Sequence, residues 1–319
     1  LATDSAKLRH VFELLDPGLV FVSDEATFLG PLARAGLDDV EVVSVSGGRG
    51  TSFAALCATV PGERARSAFA AIGPQTVGKI LFTSGSTGTP KGVMNTHRMM
   101  CSNQQALAQL LVFHTERPPV IGDWMPWNHT AGGNGSFNKT LRFGGTLYID
   151  EGKPVAGQFH KTIANLMSVR ATAHTNVPKG YELLLEEFER NPAFREHFFG
   201  ELEVLAFAGA AMPRHHYERI RAMAKELRGN RILFTSGYGA TETAPGCTYV
   251  YFPNSNQANI GLPLPGTELK LLANGDKIEL RVRGPNVMPG YWHQPELTQA
   301  AFDGEGFYCI GDAVRFIDP

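Results

Sequence analysis

The chain has 319 residues, 43% of them apolar and 19% charged, with a formal net charge of −2. That composition supports a large core or two or three packed subdomains, and it gives no electrostatic case for nucleic acid or an anionic membrane. No apolar run approaches the roughly 20 residues that cross a bilayer, no signal peptide opens the chain, and the four cysteines, Cys57, Cys101, Cys247 and Cys309, form no CxxC pair, so a zinc site or redox dithiol is disfavoured and a cytoplasmic location is expected.

Residues 1–98 read as alternating strands and helices. Residues 19–22 and 40–43 are short strand-like runs, and the glycines of 44–52 suggest a surface loop. Lys79-Ile80-Leu81-Phe82 leads a strand into a loop rich in Gly, Ser and Thr. Residues 99–250 continue the α/β rhythm. The segment 213–228 predicts a helix, with Pro213 at its first position and Tyr217, Ile220, Ala224 and Leu227 on one face. Strand-like runs at 202–207 and 232–235 flank it, and that order implies a largely parallel sheet. From 251 the pattern changes. Residues 268–273 and 277–283 are strand-like, with Asn274-Gly275 as a hairpin signal between them. The expected fold is α/β: layered, mostly parallel sheets with helices, followed by a small antiparallel, barrel-like subdomain over 251–319. The chain starts at Leu1 without a methionine and stops at Pro319, so it reads as a segment of a longer polypeptide.

The most informative stretch is Thr83-Ser84-Gly85-Ser86-Thr87-Gly88-Thr89-Pro90-Lys91-Gly92. Glycines let the backbone turn its N–H groups toward a ligand, the hydroxyls add donors, and Lys91 adds a point charge, which together make a phosphate cradle. It is not a Walker loop, because Pro90 precedes Lys91 and Gly92 follows it. A flexible Ser/Gly linker is the bland alternative, but an apolar strand before the run and Pro-Lys-Gly-Val after it argue against that.

This stretch resembles the signature of the AMP-forming adenylating enzymes, a family of acyl- and aryl-CoA synthetases, luciferases and peptide-synthetase adenylation domains. Further segments follow in the family's order. Gly237-Tyr238-Gly239-Ala240-Thr241-Glu242 is similar to its second signature, Ala208-Gly209-Ala210-Ala211-Met212-Pro213 to its small-residue turn, and Gly306-Phe307-Tyr308-Cys309-Ile310-Gly311-Asp312 to its ribose segment. In the last, Cys309-Ile310 stands where many members carry a basic residue and Thr, although Asp312 is in place. Gly290-Tyr291-Trp292 also matches and reads as structural. Asp123-Trp124-Met125-Pro126-Trp127-Asn128-His129-Thr130, with Gly132-Gly133-Asn134 after it, looks most like feruloyl-CoA synthases and close relatives.

The resemblance implies roles. Thr83, Ser84, Gly85, Ser86, Thr87, Gly88 and Lys91 would hold the phosphates of ATP. Gly209, Ala210, Ala211, Tyr238 and Gly239 would pack about the adenine, and Asp312 would accept the ribose hydroxyls. Thr241 would contact phosphate, and Glu242 would hold Mg2+. His129 would stand beside the reacting carboxylate, with Val177, Gly237 and Thr243 lining the acid site. Thr87, Lys91, His129, Thr241 and Glu242 would carry the catalysis. The implied activity is adenylation of an acid, ferulate or a related hydroxycinnamate, then thioester formation with coenzyme A as co-substrate. An adenylation domain that loads a carrier protein, or a catalytically silent nucleotide-binding fragment, stays open beside it. The family also uses a mobile C-terminal domain with its own catalytic lysine, a role Lys91 does not take.

Overall fold

The computed structural model describes residues 4–37, 39–48, 50–83 and 88–317. Two compact units are drawn from Leu1–Met94 with Gly290–Thr298, and from Asn95–Pro289 with Gln299–Pro319.

In the first unit, helix Ser5–Leu15 starts at Asp4, whose carboxylate accepts the Lys7 N–H at 3.1 Å. Helix Glu25–Arg34 starts the same way at Asp24, which accepts from Thr27 at 2.7 Å. Each cap satisfies an amide that the helix itself leaves unpaired. Strands Val20–Asp24, Val42–Ser46 and Thr51–Ser52 pair in parallel in that order. The expected strand at 40–43 therefore runs later, and residues 44–46, read as loop, belong to it. The reason is Glu25. Its buried carboxylate accepts the Ser44 hydroxyl at 2.9 Å and the N–H groups of Gly48 and Gly50 at 3.1 and 2.9 Å, which ties the turn back against the sheet. Strands Val77–Thr83 and Lys91–Thr96 form a separate pair on either side of the candidate phosphate loop.

The second unit is built on a seven-stranded sheet. Its order across is Leu262–Pro263, Thr248–Tyr249, Leu233–Tyr238, Val204–Phe207, Ala173–Asn176, Val120–Asp123 and Thr146–Ile149. The last five are mutually parallel, and the first two close one edge in antiparallel fashion. Val204–Phe207 is buried along its whole length, as a central strand covered on both faces must be. Helices Pro178–Arg190, Pro192–Gly200 and Arg214–Arg228 contribute an aromatic core that includes Tyr181, Phe188, Phe194, Phe198, Phe199 and Tyr217. Tyr217, Ile220 and Ala224 face inward as expected. Pro213 differs from the expectation. With ψ 133° it is the capping residue, and its carbonyl accepts the Tyr217 N–H at 3.1 Å.

The small antiparallel sheet comprises Glu268–Asn274, Lys277–Arg283 and Tyr308–Val314. Asn274 pairs with Lys277 as the last rung, so Gly275 and Asp276 form the turn, and Gly275 takes φ 64°. The hairpin is present with its turn one residue later than Asn274-Gly275 suggested. Leu280 and Val282 are buried beneath it. Among the described residues no helix is long and apolar enough to cross a membrane.

Candidate active site

In chain order the parallel strands of the large sheet start at Val120–Asp123. The next strand, Thr146–Ile149, lies on one side of it, and the one after, Ala173–Asn176, lies on the other. The connection reverses direction there, and open α/β sheets bind ligands outside the carboxyl ends of their strands at such a switch. The loops leaving those ends carry most of the sequence-predicted site. His129 follows Val120–Asp123, Val177 follows Ala173–Asn176, Gly209, Ala210 and Ala211 follow Val204–Phe207, and Gly237 to Thr243 close Leu233–Tyr238. The register aligns Asn176, Phe207 and Ser236 across the sheet, so these loops leave from one level.

The loop after Asp123 is held from inside. Asp123 is buried and its Oδ1 accepts the Met125 N–H at 3.0 Å. Burial pushes its carboxyl up from the usual carboxylate range, against the Ser136 hydroxyl and the Met125 N–H. The His129 N–H bonds Pro126 O at 3.0 Å, and Ala131–Phe137 then winds as a π-helix, a geometry frequent at functional sites. Gly132 is required there, because a Cβ would sit 2.5 Å from Pro126 O. The Asn134 side chain bonds Asn95 Oδ1 at 2.7 Å and Thr130 Oγ1 at 3.1 Å, and Gln104 from helix His97–Leu110 donates to Asn134 O at 2.7 Å. His129 itself is exposed. Its Nδ1 accepts the Ala131 N–H at 3.2 Å, which leaves the ring proton on an outward Nε2. Beside it Trp127, 46% exposed, leans on Phe137 with ring centroids 4.7 Å apart.

The turn after Tyr238 is equally fixed. Gly239 admits no Cβ, which would meet Pro245 O at 2.1 Å. Thr241–Thr243 is a short 3-10 turn in which Glu242 is buried and its carbonyl accepts the Met288 N–H at 2.8 Å. Thr241 is half-buried. Thr243 is fully buried, and its hydroxyl accepts the Ala240 N–H and reaches Pro245 O, each at 2.8 Å. Two residues that sequence reasoning passed over brace this turn. Asn103 and Asn286 both donate to Gly246 O, at 2.9 and 2.8 Å. The available signal was Asn103 and Gln104 on the otherwise apolar inward face of helix His97–Leu110.

Tyr238 is half-buried. Its ring packs against the cluster of Cys247, Leu280 and Val282, and its hydroxyl donates to Asp312 Oδ2. The adenine and ribose candidates are thereby brought into contact. Gly209, Ala210 and Ala211 are exposed or nearly so, with Gly209 at φ 84°.

The remaining candidates belong to the first unit. Ser84, Gly85, Ser86 and Thr87 lie outside the described residues. Thr83 ends strand Val77–Thr83, and its Oγ1 is buried without a hydrogen-bond partner among the described residues. Gly88 is exposed. Lys91 Nζ lies 4.7 Å from the centre of the Tyr291 ring. That ring is held by a bridge between Val93 and Tyr291 and by Trp292 N–H to Gly92 O at 2.8 Å, so Gly290-Tyr291-Trp292 is a clamp on the strand that follows the loop.

Each unit by itself offers groups of the kind a nucleotide or a divalent ion uses. In the first, the Thr83 hydroxyl is buried without a partner among the described residues, and in the second the buried Glu242 stands on a fixed turn. The described residues contain no group of three or more His, Cys, Asp or Glu that could hold a metal. Glu242 alone would be a donor set of the kind magnesium uses, one or two carboxylates with water and phosphate oxygens completing its shell.

An open α/β sheet with its loops gathered at a switch point is the architecture of a nucleotide-binding enzyme domain. A sequence model of the AMP-binding enzyme family matches residues 2–292, and the chain belongs to that family. It is 30% identical over 324 residues to the 3-[(3aS,4S,7aS)-7a-methyl-1,5-dioxo-octahydro-1H-inden-4-yl]propanoyl:CoA ligase of Mycobacterium tuberculosis (strain ATCC 25618 / H37Rv), covering 98% of this chain and 59% of the relative. It is 28% identical over 267 residues to the feruloyl-CoA synthase of an Amycolatopsis species, covering 76% and 51%. A malonyl-CoA ligase solved as a ternary product complex with methylmalonyl-CoA and AMP superposes with TM-score 0.75 at 29% identity, covering 98% and 62%. The chain spans about half the length of the curated relatives it matches.

Proposed function

We propose that the complete protein activates a carboxylic acid with ATP and passes the acyl group to coenzyme A. The observation that carries this reading is the rigid turn Thr241–Thr243, which presents buried Glu242 at the carboxyl end of the sheet one turn from Tyr238 and its partner Asp312. In the first half-reaction a carboxylate oxygen of the acid attacks the α-phosphorus of ATP. The bond to the bridging oxygen breaks, and pyrophosphate leaves with the electron pair. In the second, the coenzyme A sulfur attacks the acyl carbonyl, AMP leaves, and the thiol proton is lost to solvent.

The chain's own residues bind and orient. Thr83, Ser84, Gly85, Ser86, Thr87, Gly88 and Lys91 hold the phosphates, and Thr241 adds a hydroxyl donor there. Tyr238, Gly239 and the small residues 209–211 receive the adenine, and Asp312 receives the ribose. Glu242 would hold the magnesium, whose charge eases departure of pyrophosphate. Positioning and charge stabilisation of this kind supply most of the rate enhancement available to such a site. His129 offers its outward Nε2–H to the acid carboxylate, with Val177, Gly237 and Thr243 shaping the wall. The exposed Trp127, packed on half-buried Phe137 and near His129 in the chain, supports an aromatic acid, ferulate or a related hydroxycinnamate.

The test is acid-dependent exchange of labelled pyrophosphate into ATP by the complete gene product, with ferulate, coumarate, benzoate, malonate and a medium-chain fatty acid. Exchange with hydroxycinnamates is expected, and exchange only with malonate or the fatty acid overturns the aromatic assignment. AMP release that depends on coenzyme A separates a CoA ligase from a domain loading a carrier protein. Glu242→Gln should lower the exchange rate by roughly 10²-fold or more. A near-normal rate removes Glu242 from the reaction.

A further inference from the structure

We propose that the Tyr238 hydroxyl is a positioning group for Asp312, selecting the carboxylate orientation that accepts the ribose; this rests on the nucleotide reading above. The two residues stand on different sheets of the same unit, Tyr238 at the end of Leu233–Tyr238 and Asp312 within Tyr308–Val314. Tyr238 is immobilised at three places. Its carbonyl accepts the Cys247 N–H at 2.8 Å, its ring packs on Cys247, Leu280 and Val282, and its hydroxyl donates to Asp312 Oδ2. Ile310 and Val314, from the strand that carries Asp312, pack on the same cluster.

Among the described residues Asp312 has no comparable support. It is exposed and follows Gly311 at φ 87°, where the strand departs from extended geometry. An exposed aspartate is free to choose among staggered rotamers, and the phenol selects one of them. The contact does not fill the site. An ionised carboxylate accepts at about four lone-pair positions, and one phenol leaves enough for two ribose hydroxyls. Burial, and then the adjacent carboxylate, push the phenol well above its ordinary pKa, so it stays a donor across the neutral range.

Phe at 238 keeps the ring for packing and for the adenine, and removes only the donor. The experiment measures equilibrium binding of ATP and of 2′,3′-dideoxy-ATP, both with magnesium, to the complete gene product, as wild type, Tyr238→Phe, Asp312→Ala and the double variant. We expect Tyr238→Phe to weaken ATP about three- to tenfold, the net worth of one ordinary hydrogen bond. Its penalty on the dideoxy nucleotide should be several-fold smaller than its penalty on ATP, and the double variant should bind ATP no worse than Asp312→Ala alone. A structural defect or a lost ring contact would penalise both nucleotides equally. Equal penalties, or unchanged ATP affinity in Tyr238→Phe, overturn the positioning role while leaving the ribose assignment intact. Unchanged ATP affinity in Asp312→Ala, or no ATP binding by wild type, removes the ribose assignment and this inference with it.

Discussion

Thr83 shows how a single side chain separates stability from function. A buried hydroxyl without a partner costs the fold about 1–3 kcal/mol in desolvation, whereas an apolar group of the same shape is neutral or stabilising there. Valine is that shape. If the hydroxyl is kept for a phosphate oxygen, Thr83→Val should leave the thermal midpoint unchanged or raise it, and should weaken ATP binding about five- to tenfold. A lower midpoint with unchanged ATP affinity would make Thr83 an internal strut. Thr83 and its neighbours are proposed for phosphate from the sequence alone, because that chemistry calls for hydroxyls, glycines and a lysine in one run. Their surroundings were not legible there. That Lys91 lies on the Tyr291 ring depends on a bridge between Val93 and Tyr291, two positions remote in the chain, which no local pattern encodes.

Helix His97–Leu110 works as a frame for two loops at once. Gln104 holds Asn134 in the π-helix, and Asn103 holds the Gly246 carbonyl behind Glu242. Amides on an inward helical face read as defects in an apolar stripe, yet here they satisfy backbone groups that tight turns leave unpaired. Asn103→Leu keeps the volume and removes the donor. It should lower stability by about 0.5–1.5 kcal/mol, seen as a reduced denaturation midpoint, because one hydrogen bond is lost while Asn286 still donates to the Gly246 carbonyl. Pyrophosphate exchange should fall further than the ATP affinity does, since Glu242 would be displaced more than the adenine wall. Parallel losses in both would mean general loosening of the sheet edge. The largely parallel sheet, the helix over Tyr217, Ile220 and Ala224, and the late hairpin were legible from periodicity and turn residues, whereas the order of strands across the sheet was not. The π-helix was not, because glycine-rich sequence carries no helical signal, and the Glu25 cage was not, because a carboxylate reaching three donors across a turn is a tertiary event.

At the scale of the whole molecule, two interior histidines set the response to acid. His114 is buried between Phe113 and Phe143, and His174 packs edge-on against Tyr181 and Phe198. Burial, with the positive charge of Lys139 adding to it, holds each down at about 4, from an ordinary value of 6.5. Asp150 acts in the opposite sense on His174. The sign follows from which state binds more protons. Between 6.5 and 4 the unfolded chain takes up protons that the native chain refuses, so stability is fully present above 6.5 and is lost as pH falls through this window. Two such groups give a slope of at most about 2.7 kcal/mol per pH unit. Asp123, whose carboxyl is pushed up by burial, binds its proton more readily in the native state and offsets part of the loss at the acid end. His114→Leu removes one titrating group from an aromatic pocket where an apolar side chain is at home. Denaturant unfolding from pH 7.5 to 4.5 should show the variant as stable as wild type or more so at pH 7.5, with a shallower decline toward acid. A variant whose decline matched the wild type would mean that His114 already takes its proton in the native state, and that acid sensitivity arises elsewhere.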